Sequence, residues 1–510
     1  MKFKELKTIK TALISVFHKD GLQEILEELD RLNVEIISTG GTYDHIIKQG
    51  FKAKTVESIT DYPGIFGGRV KTLHPDIFGG ILHRRHLAED LAELEKYNIP
   101  AIDLVIVDLY PFEKTVATAD EESQIIEKID IGGISLIRAA AKNFKDVIII
   151  PSQDQYGELL KMLQKQNGAS SIENRKYFAA QAFNVSSHYD TAIFNYFNGT
   201  EEIPSFKISQ KNGAVLRYGE NPHQEGMFYG DLEKVFSQLH GKAISYNNLV
   251  DLDAAIKLIS EFDEPTFAIL KHTNACGLAS DKSLSEAWNK ALAGDPISAF
   301  GGVLACNKEV DEETAKAVNK LFFEIIIAPS YEKNALEVLK SKKNRIILQA
   351  DSYDFPTKIY KSILNGTLVQ GSDDVSETKE DTKVITEQAP SIRELEDLVF
   401  ANLIVKHTKS NAIVLVKNKQ LIGSGTGQTS RVDALKQAII KAEAFNLDLE
   451  GSVLASDAFF PFADSVEIAN QSGVKAVIQP GGSVRDQDSI DYCNQNNMSM
   501  LFTGNRHFKH

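Results

Sequence analysis

The pair Lys271-His272, directly after the apolar run 266–270 and inside Lys-His-Thr-Asn-Ala-Cys-Gly, holds the densest chemistry in this chain. Histidine is the side chain that takes or gives a proton near neutral pH, and an adjacent ammonium would steady negative charge as it develops. Such a pairing suits a general base working beside a charge stabiliser. Phe267, Ala268, Ile269 and Leu270 read as a buried strand. Both residues would then sit at the carboxyl edge of a sheet, where open α/β folds bind ligands.

Three further stretches point to an anionic ligand in the first part of the chain. Ser38-Thr39-Gly40-Gly41-Thr42 lies between a strand-like and a helix-like segment, so its backbone amides would form an anion nest at a helix start. Gly67-Gly68-Arg69-Val70-Lys71-Thr72-Leu73-His74-Pro75 places two cations and a hydroxyl in a glycine-flanked turn. Asp130-Ile131-Gly132-Gly133 opens a helix at 135–143 in which Arg138 and Lys142 share one face. Like charges at that spacing oppose a helix by about 0.2–0.5 kcal/mol. An anionic partner, Asp130 or a bound substrate, would account for them. Tyr110, after the apolar run 104–109, adds a phenol at the same sheet edge. Together these loops read as a site for a phosphorylated small molecule.

The elements that must position these groups are legible as alternation. Strands are expected at 11–17, 34–38, 104–109 and 147–150, with helices at 21–32, 42–49, 123–128, 135–143 and 175–197. That order predicts a parallel sheet. Residues 198–205 read as a linker, so the domains are expected at 1–198 and 205–510. The later part alternates less regularly. Its polar, acidic stretch 371–382 reads as a flexible joint between subdomains at roughly 205–370 and 385–510. Lys271-His272-Thr273-Asn274 is echoed by Lys406-His407-Thr408-Lys409, and Ser298-Ala299-Phe300 faintly by Asp457-Ala458-Phe459, which suggests a duplication across that joint.

With 510 residues the chain is too long for one core. Its net charge of −14 argues against general nucleic-acid binding. No apolar stretch approaches the roughly 20 residues that span a bilayer, and Met1-Lys2-Phe3-Lys4-Glu5 lacks the apolar region of a signal peptide. Cys276, Cys306 and Cys493 are too scattered for a disulfide framework, so a cytoplasmic location is expected.

Taken in order, Gly68–Pro75, Ile129-Asp130-Ile131-Gly132-Gly133, Arg138-Ala-Ala-Ala-Lys142-Asn143, Leu216-Arg217-Tyr218-Gly219-Glu220-Asn221-Pro222-His223-Gln224, Lys271-His272, Ser298-Ala299-Phe300-Gly301-Gly302 and Phe459-Phe460-Pro461-Phe462 carry a resemblance. Over essentially its whole length the chain resembles the purine-biosynthesis family that joins an aminoimidazolecarboxamide ribotide (AICAR) formyltransferase to an IMP cyclohydrolase. The resemblance implies an α/β chain: a methylglyoxal-synthase-like parallel-sheet domain, then a formyltransferase region of two cytidine-deaminase-like subdomains. In ring closure it implies that Lys71, Tyr110, Asp130 and Lys142 act on formyl-AICAR, with Asp130 orienting the carboxamide and Lys71 or Lys142 steadying the oxyanion. Ser15, Lys19, Ser38, Gly40, Gly41, Thr42, Arg69, Thr72 and Arg138 would hold the nucleotide. The family's usual Ser-Val-Ser-Asp-Lys-Thr-Gly is here Ser15-Val16-Phe17-His18-Lys19-Asp20-Gly21, which removes two hydroxyls from that loop.

For formyl transfer the co-substrate implied is 10-formyltetrahydrofolate, and the acceptor is the weakly nucleophilic 5-amino group of AICAR. His272 would strip its proton, and Lys271 would assist the formyl oxygen or the leaving nitrogen. Arg217, Tyr218, Asn221 and His223 would grip AICAR; Asn411, Arg431, Phe459 and Asp464 match positions that hold folate or substrate. Ala275 replaces the family's proline. A homodimer is implied too. His223-Gln224-Glu225 satisfies half of a zinc-deaminase signature, but no Pro-Cys-x-x-Cys follows, so no metal is expected. The alternative to two activities is a single formyltransferase whose first domain senses a phosphorylated ligand.

Overall fold

The computed structural model describes residues 6–350 and 352–510; residues 1–5, read above for a signal segment, lie outside the described residues. The chain forms two compact units, Met1–Lys211 and Asn212–His510. In the first, five parallel strands, β1 (Thr11–Ser15), β2 (Glu35–Ser38), β3 (Lys54–Thr55), β4 (Leu104–Val107) and β5 (Ile148–Ile150), pair in the order β3-β2-β1-β4-β5. Leu13 stands between Ile37 and Val105, with Ile149 beyond. Continuous apolar runs of this kind belong to a sheet covered by helices. Helix α1 (Leu22–Arg31) buries Leu22, Ile25, Leu26 and Leu29 in that core.

Helices α2 (Gly40–Lys48) and α3 (Gly132–Lys142) begin at their glycines, ahead of the expected starts at 42 and 135. Glycine contributes nothing to an apolar pattern, so the pattern detects the helix only after its first turn. Helix α4 (Ile172–Phe197) starts ahead of 175 because Ser171 and Asn174 form a capping box.

The second unit is more regular than its sequence suggests. β6 (Thr266–Lys271) pairs antiparallel with β7 (Asn274–Ser280) and with β8 (Val303–Cys306), while β8, β9 (Ile325–Ala328) and β10 (Ile346–Gln349) run parallel. The same pattern follows in β11 (Ile413–Lys417), β12 (Gln420–Gly425), β13 (Val453–Ser456), β14 (Ala476–Gln479) and β15 (Ser499–Phe502). An antiparallel contact at Ala279 and Gln420 joins the halves into one sheet of twelve strands.

Equivalent helices accompany each half: α5 (Tyr246–Ile259), α6 (Leu284–Gly294), α7 (Glu312–Val318) and α8 (Lys333–Lys340), then α9 (Ile392–Lys406), α10 (Arg431–Ala444), α11 (Asp464–Gln471) and α12 (Asp486–Gln495). The duplication extends to detail. Gly277 faces Ile269 and Gly423 faces Leu415, each beside a register shift. A Cβ on either would meet a helix carbonyl, Ala291 O at 2.0 Å or Ala438 O at 2.2 Å.

Three expectations need correction here. First, Lys406-His407 ends a helix, whereas Lys271-His272 ends a strand; the structural counterpart of the His272-Thr273 turn is Asn418-Lys419, all four at positive φ. Second, Ser298-Ala299-Phe300 precedes β8 while Asp457-Ala458-Phe459 follows β13, so the faint echo joins non-equivalent places. Third, the stretch 371–382 is not loose. Glu377 is buried, accepts from Asn402 Nδ2 at 2.8 Å and Asn505 Nδ2 at 2.9 Å, and pairs with His507 Nε2 at 3.1 Å. Its charges find buried partners distant in sequence, which local composition does not reveal.

Candidate active sites

In the first unit, β1, β2 and β4 run parallel and deliver Ser15, Ser38 and Asp108 to one edge. Thr42 Oγ1 donates to Val16 O at 2.9 Å and accepts from Val16 N at 3.1 Å, pinning the first loop to the start of α2. Ser38 Oγ donates to Ile14 O at 2.8 Å, and Ser15 Oγ lies 3.2 Å from Thr39 Oγ1. Ser38 and Thr42 are buried, so their hydroxyls shape the loop. The free backbone near Gly40 and Gly41 is what a ligand would meet. Gly40 has φ 45, and a Cβ there would lie 2.9 Å from Lys71 Nζ. Gly64 and Gly68 likewise touch the Lys71 stem, so three glycines make the slot that brings this ammonium to the nest.

Thr72 and Gly132 are neighbours in the same way, a Cβ on Gly132 falling 3.0 Å from Thr72 Oγ1. Asp130 Oδ1 accepts from Gly133 N at 2.6 Å, and Asp130 N donates to Tyr189 Oη at 2.9 Å. Burial pushes the Asp130 carboxyl above its usual range, with Asp108 pushing the same way against backbone donors from Gly133, Ile134 and Tyr110. Burial and then the Asp130 charge raise the Tyr110 phenol in turn. Lys71, Thr72, Asp130 and Tyr110 thus belong to one edge of the unit.

Other expected residues are placed differently. Lys142 ends α3 and Asp130 precedes it, roughly 15 Å apart along the axis. Arg138 lies 5.6 Å from the Phe183 ring. The anionic partner expected for this pair is therefore not Asp130. Arg69 pairs with Glu127. Lys19 Nζ donates to the carbonyls of Val16 and Phe17, and burial lowers its pKa, with Asp108 opposing. Phe17, which replaces a hydroxyl, packs edge-on to Tyr110 at 5.4 Å, and Lys128 Nζ lies over both rings. Sequence reasoning passed over Lys128 and Asp108. Asp108, accepting from His18 N at 3.0 Å and His18 Nδ1 at 2.6 Å, is the one charge in an apolar run, and that was its signal.

In the second unit His272 (φ 51) and Thr273 (φ 65) form a two-residue turn between antiparallel strands, not the strand-to-helix loop of a parallel edge. The expected carboxyl edge comes instead from the other half, because the antiparallel join sets this turn beside the ends of β12 and β13. Lys409 N donates to Asn274 Oδ1 at 2.9 Å across that seam. Asp251 Oδ1 accepts from Thr273 N at 2.7 Å, and Asn274 Nδ2 donates to His272 O at 2.7 Å, so the strained turn is held from two sides. Lys271 Nζ donates to Phe300 O at 2.7 Å.

A cleft of about 260 Å³ opens here, lined by Lys271, His272, Asn274, Ser298, Thr426 and Lys441 among others. Asp295 at its wall is raised by burial but lowered further by Lys441 and Ser298, and ends below its usual range. Asp251, Asp295 and Lys441 carried no sequence signal. Arg431 is buried and donates to Asn411 Oδ1 at 3.0 Å, to Ser456 Oγ at 2.8 Å and to Asp457, which fixes Asn411 just before β11; neither residue lines that cleft. Phe459 and Asp464 are exposed beyond β13. Arg217, Tyr218, Asn221 and His223 lie on the loop of an exposed two-stranded ribbon, Gly213–Val215 with Met227–Tyr229, and do not line that cleft.

The chain matches two family models, the AICARFT/IMPCHase bienzyme over residues 140–441 and the MGS-like domain over residues 21–135. A bifunctional purine biosynthesis protein PurH of Bacteroides thetaiotaomicron is 60% identical over 506 residues, covering 99% of this chain and 100% of that one. The proteins of the same name from Caldicellulosiruptor saccharolyticus and Aquifex aeolicus are 46% and 45% identical, each covering 98% of this chain and 100% of theirs.

Proposed function

This chain belongs to the AICARFT/IMPCHase bienzyme family, and on that premise we propose how its residues divide the two reactions. The protein is a bifunctional enzyme of the last two steps of IMP synthesis: formyl transfer from a folate-type donor to AICAR, then dehydrative closure of formyl-AICAR to IMP. Residues 1–198 carry the cyclohydrolase and 205–510 the formyltransferase, with subdomains near 205–370 and 385–510. The donor is 10-formyltetrahydrofolate.

In formyl transfer the AICAR amine attacks the formyl carbon while His272 removes its proton and Lys271 steadies the oxygen; collapse of the intermediate then breaks the bond to the donor nitrogen, which takes up a proton and leaves as tetrahydrofolate. A turn held by Asp251 and Asn274 keeps the imidazole in place. In ring closure the carboxamide nitrogen attacks the formyl carbon and water leaves. Asp130 orients that nitrogen and takes its proton. Lys71, beside the Gly40 nest, meets the oxyanion, and Tyr110 lies within the same electrostatic reach. Ser15, Ser38, Gly40, Gly41, Thr42, Arg69 and Thr72 form the nucleotide cradle largely through backbone amides.

The carrying observation is that each unit has its own cluster of acid–base and cationic groups. His272→Ala should abolish formyl transfer and leave IMP formation from supplied formyl-AICAR; Lys71→Ala should do the reverse. Equal loss of both activities in either folded variant would refute two independent sites. Arg217, Tyr218, Asn221 and His223 stand away from the His272 cleft, and the exposed ribbon bears Val215, Met227 and Tyr229. That supports a homodimer in which a second copy completes the AICAR site. Sedimentation at the monomer mass under assay conditions would contradict it. Among the described residues no helix is long and apolar enough to cross a membrane.

A further inference from the structure

The first loop of the first unit holds a carboxylate–imidazole pair to which ring closure has so far given no task. β1 and β4 run side by side in parallel, so Asp108, just past β4, faces the loop that follows Ser15. Its carboxylate is buried and accepts from Phe17 N, from His18 N at 3.0 Å and from His18 Nδ1 at 2.6 Å. Two backbone amides already answer this charge; the ring adds a third bond while its side chain stays 40% exposed. Among the described residues nothing bonds to His18 Nε2. His188 and His507, by contrast, engage both ring nitrogens with protein partners.

The pair stands on an edge built for an anion. β1 and β2 are parallel neighbours, so α1 and α2, which follow them, start on the same edge. Neither helix is capped by a side chain; Gly21 precedes α1 at φ 72 and Thr39 precedes α2. Two open helix starts favour phosphate. A bare Asp108 carboxylate would oppose it, and its charge already pushes the Asp130 carboxyl up. The imidazole covers that carboxylate and leaves a nitrogen free. A single proton between Nε2 and a phosphate oxygen completes a bond, whether the ring brings it or the phosphate monoester, whose second pKa is about 6.

The loop's composition points the same way. Phe17 and Asp20 stand where the family's usual loop has hydroxyls, and His18 where it has a carboxylate. Lys19 Nζ turns back onto the carbonyls of Val16 and Phe17, which leaves His18 as the loop's outward donor. The Phe17 ring meets the His18 ring at 4.9 Å and the Tyr110 ring at 5.4 Å, edge-on both times. An aromatic spacer thus lies between the imidazole and the phenol near Asp130, and sets His18 with the end of the substrate that does not react.

We propose that His18, steadied by Asp108, binds the phosphate of formyl-AICAR in this chain, in place of the hydroxyls that Phe17 and Asp20 remove from the loop. The proposal rests on reading the first unit as the ring-closure domain. Phosphate is remote from the bonds that change, so the contact is made equally in ground and transition states and lowers KM without raising kcat. Asp108 is a positioning residue, since it acts through the ring.

The test compares ring closure of formyl-AICAR by wild type and by His18→Asn in the full chain. Asparagine Nδ2 takes the place of the ring's Nδ1 and still serves Asp108, but nothing replaces Nε2. The variant should raise KM about ten- to a hundredfold, the range of one hydrogen bond to a charged group, with kcat unchanged. Formyl transfer by the other unit should keep its wild-type rate. A wild-type KM in the variant would overturn the proposal, because the imidazole would then serve only Asp108 and the loop; a loss confined to kcat would overturn it too. Calorimetry with IMP and inosine reads the contact without chemistry. IMP bound about tenfold or more weaker by the variant, with any binding of inosine the same, supports the contact even if wild type closes no ring, which would sink only the underlying assignment. IMP bound equally by both proteins, or inosine weakened as much as IMP, would overturn it.

Discussion

Asp130 shows what a working side chain does to the protein that carries it. Its carboxyl is raised mainly by burial, so the folded state holds the proton more tightly than the unfolded chain does. Stability therefore increases as pH falls and is lost as pH rises through the raised value. At pH 7 the half-buried carboxylate is a liability that ring closure requires. Asp130→Asn should accordingly melt at a higher temperature than wild type at pH 7, with the gap narrowing towards pH 4, while IMP formation drops about 10²–10⁴-fold. A variant that melts lower at pH 7 would show that its backbone donors outweigh burial. The residue type and the following Gly-Gly were legible as an anion-handling start to a helix. That Asp130 neighbours Tyr110 while Lys142 stands far along α3 was not, because distance along a helix axis separates residues that a motif lists together.

At the scale of elements, the hairpins β6–β7 and β11–β12 are one device used twice. Each pairs a left-handed two-residue turn with an aspartate that accepts its amides: Asp251 for Thr273, and Asp397 for Asn418 at 2.9 Å and Lys419 at 2.7 Å. Each also carries a glycine against a helix. Gly277→Ala would drive a methyl into Ala291 O, so the second unit should lose about 1–3 kcal/mol in urea unfolding, with cyclohydrolase activity retained. An unchanged midpoint would mean that α6 moves aside freely. The sequence suggests the repeat but aligns the wrong residues, because what the two halves share here is geometric. Asn418-Lys419 shares no residue type with His272-Thr273, while the similar Lys406-His407 serves as a helix end.

Across the whole second unit, the stretch 371–382 ties remote elements together. His507 is raised to about 9: burial lowers it, but Asp373 at 2.8 Å and Glu377 at 3.1 Å raise it more. Its contribution is complete below the ordinary value of 6.5 and is lost as pH climbs through about 9. Glu261, held at about 2 against burial by His407, Lys406 and Ser376, extends the same network. His507→Gln should therefore flatten the stability profile between pH 6.5 and 9 and remove about 2 kcal/mol at neutral pH after allowance for screening. A wild-type profile already flat over that range would contradict the ion pairs.

From the linear chain alone came the class of each unit, the apolar strands of the first sheet, the glycine-flanked cations and the proton-handling Lys271-His272 pair. These are local facts: periodicity, residue chemistry and short spacing survive without folding. Tertiary structure alone decided that Lys71 lies against the Gly40 nest, that the halves of the second unit fuse through β7 and β12, and that Asp108 holds the His18 ring. Strand order and the antiparallel seam bring those groups together, and neither is encoded within the few residues that a motif spans.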